Sequence, residues 1–194
     1  MEESIGGGRR EAAGPGDGAR GMQHQAEAGL DEASFGFLTT LESPAHGLFG
    51  GYLVVDALGR PLEFHCTAPV KVSRAQQILY GSTLDAHLHG RQVGSALLAE
   101  GKAHPDVVLT DSEAMLSVRP HTSLPVAHVR RQDEGQPTAG LAGFTLGMVL
   151  VRPHAADLGR SADLENRLAA LAAAVDLCEP FERIRAALDE AARH

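Results

Sequence analysis

The sequence predicts an α/β fold built on a mixed β-sheet, with an α+β arrangement as the alternative. The first observation is a run of three strand patterns between residues 34 and 67, joined by short turns, which predicts an antiparallel start. The second is a helical pattern between this run and a later apolar strand, as a crossover between parallel strands requires. The third is a pair of amphipathic helices at the end of the chain.

The three opening strands can be justified one by one. The segment SFGFLTTLES alternates as a half-buried strand does, and ESPAHGLFG is typical of a loop because of its Pro, His and Gly. GYLVVDA is apolar on both faces, which predicts a central strand covered on both sides. DALG then predicts a tight turn, and RPLEFHCTAPV predicts the return strand of a hairpin.

The next elements begin with a helix whose start is marked by a capping box of Ser73 and Gln76. We expect a break near Gly81, because glycine weakens helices, and an end to the helical segment at Gly101. A short helix is predicted over SEAMLSVRP. Three further strands are predicted, the last of them long and continuous: PDVVLTD, LPVAHVRR and LAGFTLGMVLVRP.

Composition divides the chain into three parts. Residues 1–33 are rich in Gly and lack Val, Phe and Tyr, so we expect a disordered tail. Residues 34–160 form the predicted α/β domain. Residues 161–194 are predicted to be a helical pair around Pro180 whose apolar stripes need a surface to pack on. We prefer the body of the same domain as that surface, with a partner or self-association as the alternative.

The predicted element order is similar to two known topologies. An antiparallel three-strand start followed by a β-α-β crossover resembles the strand order of ribonuclease H-like folds. Profilin-like folds also begin with paired strands and a helix. Neither likeness implies a function, because one fold supports many activities.

The adjacent residues His65 and Cys66 raise the question of a chemical site. Side chains alternate between the two faces of a strand, so Cys66 shares an apolar row with Leu62 and Phe64. His65 shares the opposite row with Glu63. The sequence therefore predicts a buried thiol, and an imidazole that lies beside a carboxylate.

The catalytic candidates are Glu63, His65 and Asp111. Metal-dependent nuclease chemistry of the ribonuclease H type needs several carboxylates that converge on divalent metals. Where an Asp is needed, the first strand offers Thr39, Thr40 and only a terminal Glu42. Asp111 follows a strand, where open α/β sheets place their ligands. A helix-capping role is the preferred interpretation of Asp111.

Other catalytic and cofactor patterns are missing from the sequence. His87 and His89 are two residues apart and cannot share one face of a helix, so no metal site is predicted. No nucleophile elbow and no phosphate-binding loop occurs. We therefore expect no cofactor, except a divalent metal if the chain is a nuclease.

Charge and apolar content narrow the expected partners. The formal net charge of −8 argues against nucleic acid as a partner, because phosphate binding draws on clustered Lys and Arg. The sequence has no signal-peptide pattern and no apolar run that could span a membrane, so we expect a cytoplasmic protein without membrane contact.

The leading functional expectation is a noncatalytic module that binds a protein or serves as a scaffold, using residues 161–194 or the sheet edge. This expectation rests on a sequence that has enough apolar positions for a core but no recognised set of catalytic residues. Whether the chain is an enzyme stays open, and we lean towards a protein that is not one. The alternative is a metal-dependent phosphodiesterase or nuclease of the ribonuclease H-like type.

Overall fold

The protein contains one seven-stranded mixed sheet, seen in a computed structural model that describes residues 33–132 and 142–193. The strand order is β3-β2-β1-β4-β5-β7-β6. The predicted tail over residues 1–33 lies almost wholly outside the described residues. The strands are β1 (Ser34–Ser43), β2 (Gly47–Asp56), β3 (Pro61–Cys66), β4 (Val107–Thr110), β5 (Val126–Arg131), β6 (Phe144–Leu146) and β7 (Val149–Pro153).

Strand β1 lies in the middle of the sheet and pairs on both sides. It is antiparallel to β2 and parallel to β4, and β4 is in turn parallel to β5. Strand β3 pairs antiparallel with β2, and the β6–β7 hairpin extends the sheet beyond β5. This mixed α/β arrangement, with the order 3-2-1-4-5 in its central part, has the ribonuclease H-like topology, which confirms the predicted fold class.

Helices cover both faces of the sheet. They are α1 (Arg74–Tyr80), α2 (residues 84–100, with a π-helical middle at His87–Gly94), α3 (Ser161–Ala174) and α4 (Glu179–Ala191). Two longer 3₁₀ segments, Glu113–His121 and Ala155–Arg160, follow β4 and β7. The capping box of Ser73 and Gln76 is present at the start of α1, as predicted.

Two apolar cores result, one on each face. The first face buries α3 and α4 through Leu164, Leu168, Leu171, Phe181, Ile184 and Leu188, against side chains such as Phe37 and Leu53. The second face buries α2 and the 3₁₀ segment after β4, through Leu88, Val93, Leu97, Met115 and Val118. The apolar stripes of the C-terminal helices therefore pack on the sheet of their own chain. The division at residues 33 and 160 stays a prediction.

Two glycines in β2 allow these layers to approach the sheet closely. A Cβ on Gly50 would lie 2.1 Å from Cγ1 of Val93, on the α2 side. A Cβ on Gly51 would lie 2.3 Å from Cγ2 of Ile184, on the α4 side. Because packed atoms do not approach this closely, both positions require glycine for the two helical layers to sit as they do.

One loop prediction and one strand prediction are wrong in detail. The segment ESPAHGLFG is mostly strand, since β1 continues to Ser43 and β2 begins at Gly47. Within the predicted strand LAGFTLGMVLVRP, residues 144–153 form a hairpin and not one strand, because Gly147 adopts a φ of +60° between β6 and β7. Among the described residues, no helix has the length and apolarity needed to cross a membrane.

A buried ion pair holds the 3₁₀ segments against the amino end of β5. Asp157, 1% exposed, accepts hydrogen bonds from Arg119 Nε at 2.7 Å and Nη2 at 2.9 Å. It also accepts one from the backbone N–H of Val126 at 3.1 Å. Burial alone raises the pKa of Asp157, but these hydrogen bonds outweigh burial and leave that pKa below its ordinary value. The carboxylate is therefore charged and fully paired.

Strand β3 is fastened to the end of α2 by Glu63. The Glu63 carboxylate accepts backbone hydrogen bonds from Lys102 at 2.9 Å and Ala103 at 2.8 Å, and it bonds Nε2 of His65 at 2.5 Å. The bond to His65 contributes most, followed by the two backbone N–H groups, and together they lower the pKa of Glu63 to about 2. Glu63 thus joins the outermost strand to the helical layer.

Asp157→Asn should lower the free energy of unfolding by about 3 kcal/mol, because it leaves the Arg119 guanidinium without its counter-charge. Urea denaturation monitored by circular dichroism would measure this loss. Asp163→Asn, which alters an exposed carboxylate paired with Arg167, is the matched control and should change stability by less than about 0.5 kcal/mol. Equal losses in the two variants would contradict the structural role of Asp157.

Glu63→Gln should destabilise the protein in a pH-dependent way. The pKa of Glu63 in the folded state lies below its ordinary value of 4.5, so its ionised form stabilises the fold above about pH 4.5 and ceases to do so as the pH falls towards about 2. At neutral pH the loss should be about 1–3 kcal/mol, and it should shrink in acid.

The measurement is urea denaturation at about pH 7 and about pH 3, with Glu100→Gln as the control. Glu100 is a largely exposed carboxylate 3.9 Å from Nδ1 of His65. Its replacement should leave stability nearly unchanged. A Glu63→Gln penalty of the same size at both pH values would rule out the proposed linkage.

Candidate functional site

The sequence-predicted candidates fall at two separate places. Glu63 and His65 lie together on β3, facing the side of the sheet that α2 covers, since they pair with Val54 and Tyr52 of that core. The imidazole beside a carboxylate is therefore confirmed. The hydrogen bonds that Glu63 accepts from His65, Lys102 and Ala103 hold β3 against the helical layer.

Asp111 lies on the other face, directly after β4. Its carboxylate accepts a hydrogen bond from the Thr39 hydroxyl at 2.6 Å and forms an ion pair with Arg185 of α4. Arg185 Nη2 also lies 3.3 Å from Oγ1 of Thr39. The preferred helix-capping interpretation of Asp111 is wrong, because its carboxylate turns towards β1 and α4 and not to the following 3₁₀ segment.

Sheet geometry keeps Asp111 apart from the other two candidates. Strands β2 and β1 lie between β3 and β4, which places the two sites roughly 14 Å apart at about 4.8 Å per strand. Glu63 and His65 also face the opposite side of the sheet from Thr39. The three predicted candidates therefore do not share a cleft.

The position of Asp111 is the one where open sheets bind ligands. From β1 the chain continues outward to β2, whereas from β4 it continues in the opposite direction to β5. The carboxyl ends of β1 and β4 therefore border a topological switch point, outside which α/β proteins bind their ligands. Thr39, Asp111 and Arg185 meet there.

The donor set at this point does not fit a divalent metal centre. Of the residues that the structure describes, Asp111 is the one carboxylate bonded to Thr39 and Arg185, and these two residues engage both of its oxygens. Within residues 33–132 and 142–193, no group of three or more His, Cys, Asp or Glu side chains could hold a metal ion. The place where β1 would contribute an acid is taken by the buried hydroxyl of Thr39.

Further basic groups lie at the same carboxyl edge of the sheet as Asp111, but on the opposite face of the sheet. His128 of β5 is buried and stands level with Thr110 of β4 and Arg152 of β7. Arg130 follows two residues later on the same face of β5 and is exposed. Burial, and after it the charge of Arg152, lowers the pKa of His128, which favours the neutral imidazole. Arg152 also pairs with Glu113.

The Cys66 thiol is exposed, which contradicts the prediction that it is buried. The alternation of side chains along β3 is as predicted, with Leu62 and Phe64 on the same face as Cys66. That face is exposed because β3 is the last strand of the sheet and α4 packs over β1 and β2. The row of apolar side chains on β3 is therefore exposed to solvent and not part of the core.

Sequence reasoning missed Arg185 altogether. Arg185 follows Ile184 in a helix whose apolar stripe was identified, so its place on the flank of that stripe was visible. Nothing in the sequence indicated which strand end it would reach. Thr39 was noticed only as a residue that could not serve as a metal ligand.

Comparison with known proteins adds structural resemblance only. Neither a protein-family model nor a curated protein matches the sequence. An endonuclease V of Ciona intestinalis, bound to a DNA that contains inosine, shows 11% identity and a TM-score of 0.44 over 79% of this chain and 90% of that one. Human ENDOV shows 13% identity and a TM-score of 0.38 over 87% of this chain and 98% of that one. The Argonaute of Marinitoga piezophila in complex with a guide RNA shows 11% identity and a TM-score of 0.35. The similarity covers 64% of this chain and 23% of that one.

Two functional expectations are wrong in the light of these findings. The expected noncatalytic module that binds protein or serves as a scaffold conflicts with them, because the similar structures include endonucleases. The expectation that nucleic acid is not a partner conflicts with them as well, since one of those endonucleases is bound to DNA. The net charge is a sum over the whole chain and does not show where the cations lie. At TM-scores of 0.44 and lower, these structures assign no role to any residue here.

Proposed function

We propose that the protein binds a nucleic-acid backbone at the carboxyl edge of β1, β4 and β5 and hydrolyses a phosphodiester there. The observation that carries this proposal is the Asp111–Arg185 ion pair, held by Thr39 at the topological switch point. A guanidinium is the side chain best suited to a phosphate, because its planar donors match the phosphate oxygens.

Arg185 has donors to spare for such a ligand. Only Nη2 has a hydrogen-bond partner among the described residues, which leaves Nε and Nη1 available. The side chain is 39% exposed, so a ligand can reach it from solvent. A phosphate that takes over the guanidinium would release one oxygen of the Asp111 carboxylate.

The cations on the other face extend the same surface. Arg130 and Arg152 stand on neighbouring strands, and Arg130 lies one strand away from the end of β4, where Asp111 is located. A strand of nucleic acid that crosses this edge would meet Arg185 on one side and Arg130 on the other. An acidic protein that gathers Arg side chains at one edge can bind a polyanion there in spite of its net charge.

The released Asp111 carboxylate supplies a general base. It would accept a proton from a water molecule whose oxygen attacks the phosphorus, while the bond from phosphorus to the leaving oxygen breaks and that oxygen takes a proton from solvent. Arg185 would stabilise the charge that develops on the phosphoryl oxygens. The donor set does not fit a divalent metal, so no step runs through one.

Fluorescently labelled single- and double-stranded DNA and RNA test this activity by gel analysis, with Mg²⁺, with Mn²⁺ and with EDTA. We expect cleavage that persists in EDTA. Asp111→Asn should lower the rate about 10²-fold or more, because the base is lost, whereas the exposed control Asp163→Asn should keep it. Cleavage that strictly requires a metal, no cleavage of any substrate, or an unchanged rate in Asp111→Asn would refute the proposal.

Binding can be tested separately from cleavage through its dependence on salt. Arg185→Gln and Arg130→Gln should each weaken binding of a labelled oligonucleotide in fluorescence anisotropy. Each should also reduce the slope of log K against log salt by about 0.7–0.9, as expected for one phosphate contact. Arg160→Gln is the control, since Arg160 lies in the 3₁₀ segment held against the amino end of β5. Slopes equal to wild type in both test variants would place the nucleic acid elsewhere.

A further inference from the structure

Glu113 lies among the cations on the α2 face of the carboxyl edge. It is the first residue of the 3₁₀ segment Glu113–His121, and it follows Asp111 by two residues. Its carboxylate pairs with Arg152 of β7, which lies two strands away from β4 in the sheet. The Glu113 side chain is 70% exposed and that of Arg152 is 31% exposed. The pair therefore lies at the surface, where it can open without disturbing the core.

Two strands supply positive charge around this carboxylate. Arg152 stands opposite His128 of β5, and Arg130 follows His128 by two residues on the same face. The hydrogen bond from Arg152 contributes most to lowering the pKa of Glu113 below its ordinary value, and the charge of Arg130 lowers this pKa further. Glu113 is therefore ionised at neutral pH, and its one negative charge stands against two guanidinium groups.

A carboxylate and a phosphate compete for the same donors of a guanidinium, because both accept hydrogen bonds from its planar N–H groups. Under the proposed function, a strand of nucleic acid that crosses the carboxyl edge passes Arg130 and Arg152 on this face. A phosphate that takes the Nη2 group of Arg152 must displace Glu113 from it. An ionised Glu113 that stays beside Arg152 also repels any phosphate that approaches.

We propose that Glu113 is an internal competitor of the nucleic-acid backbone, which occupies Arg152 and weakens binding at this edge. The inference rests on the proposed function and concerns binding, not the chemical step. Solvent screens an exposed ion pair, so the pair opens at little cost. Glu113 therefore lowers the affinity without abolishing binding, and it limits how tightly the protein holds a substrate or a product.

Fluorescence anisotropy with a labelled single-stranded oligonucleotide tests this inference. Glu113→Gln removes the competing charge, so the affinity at low salt should rise about 3- to 5-fold, the scale of one exposed ion pair. The slope of log K against log salt should steepen by about 0.7, as expected for one further phosphate contact. Glu165→Gln is the matched control, because it makes the same change of charge at an exposed position of α3 on the other face of the sheet. It should bind like wild type.

A double variant tests whether the gain acts through Arg152. Adding Arg152→Gln to Glu113→Gln should cancel the gain in affinity, because the guanidinium that Glu113 released is then missing. Circular dichroism would verify that each variant is folded. A Glu113→Gln affinity equal to that of wild type, a gain that Glu165→Gln reproduces, or a gain that survives the loss of Arg152 would overturn the inference.

Failure of the proposed function gives a different result. Binding that Arg185→Gln leaves unchanged, with no cleavage of any substrate, would overturn the proposed function, whereas a gain in Glu113→Gln would still support the competitor. Binding that Arg185→Gln weakens, without any gain in Glu113→Gln, would overturn the competitor alone. If neither wild type nor Glu113→Gln binds the oligonucleotide, both proposals are wrong.

Discussion

The rest of the structure depends on the burial of β1 between two apolar layers, with backbone pairing on both of its sides. Antiparallel pairing with β2 is reached through a tight turn, whereas parallel pairing with β4 requires a crossover across one face of the sheet. Residues 74–100 make that crossover and cover the second core. The face left open by it is covered by α3 and α4, so the C-terminal helices are an integral part of the core.

This constraint also creates the site. Parallel pairing aligns the carboxyl end of β4 with the middle of β1, so that Asp111 reaches Thr39. The packing of α4 on the same face then brings Arg185 to both of them. An ion pair at a half-exposed edge contributes little to stability, because solvent screens it and the long side chain loses rotamer freedom. Under the proposed function, a phosphate would compete with Asp111 for this guanidinium.

Residues of similar chemistry serve structure elsewhere in the chain. Glu63 and Asp157 are both depressed in pKa, but their oxygens are taken up by backbone N–H groups and by a protein side chain. Such fully satisfied carboxylates stabilise the fold and have little capacity left for a substrate. Asp111 differs because its partner Arg185 reaches solvent and retains free donors among the described residues.

The sequence by itself determined the order of the elements up to β5, the capping box at Ser73, the alternation that places Glu63 beside His65 and the buried stripes of the C-terminal helices. These features depend on residues near in the chain. Only the tertiary structure decided which strands neighbour one another and which faces are covered. That is why Cys66 is exposed although it belongs to an apolar row. It is also why Asp111 contacts Thr39 and Arg185, which are 72 and 74 residues away in the sequence, and does not contact Glu63. Pairing between strands and packing of helices on a sheet are long-range interactions, and local periodicity carries no information about their partners.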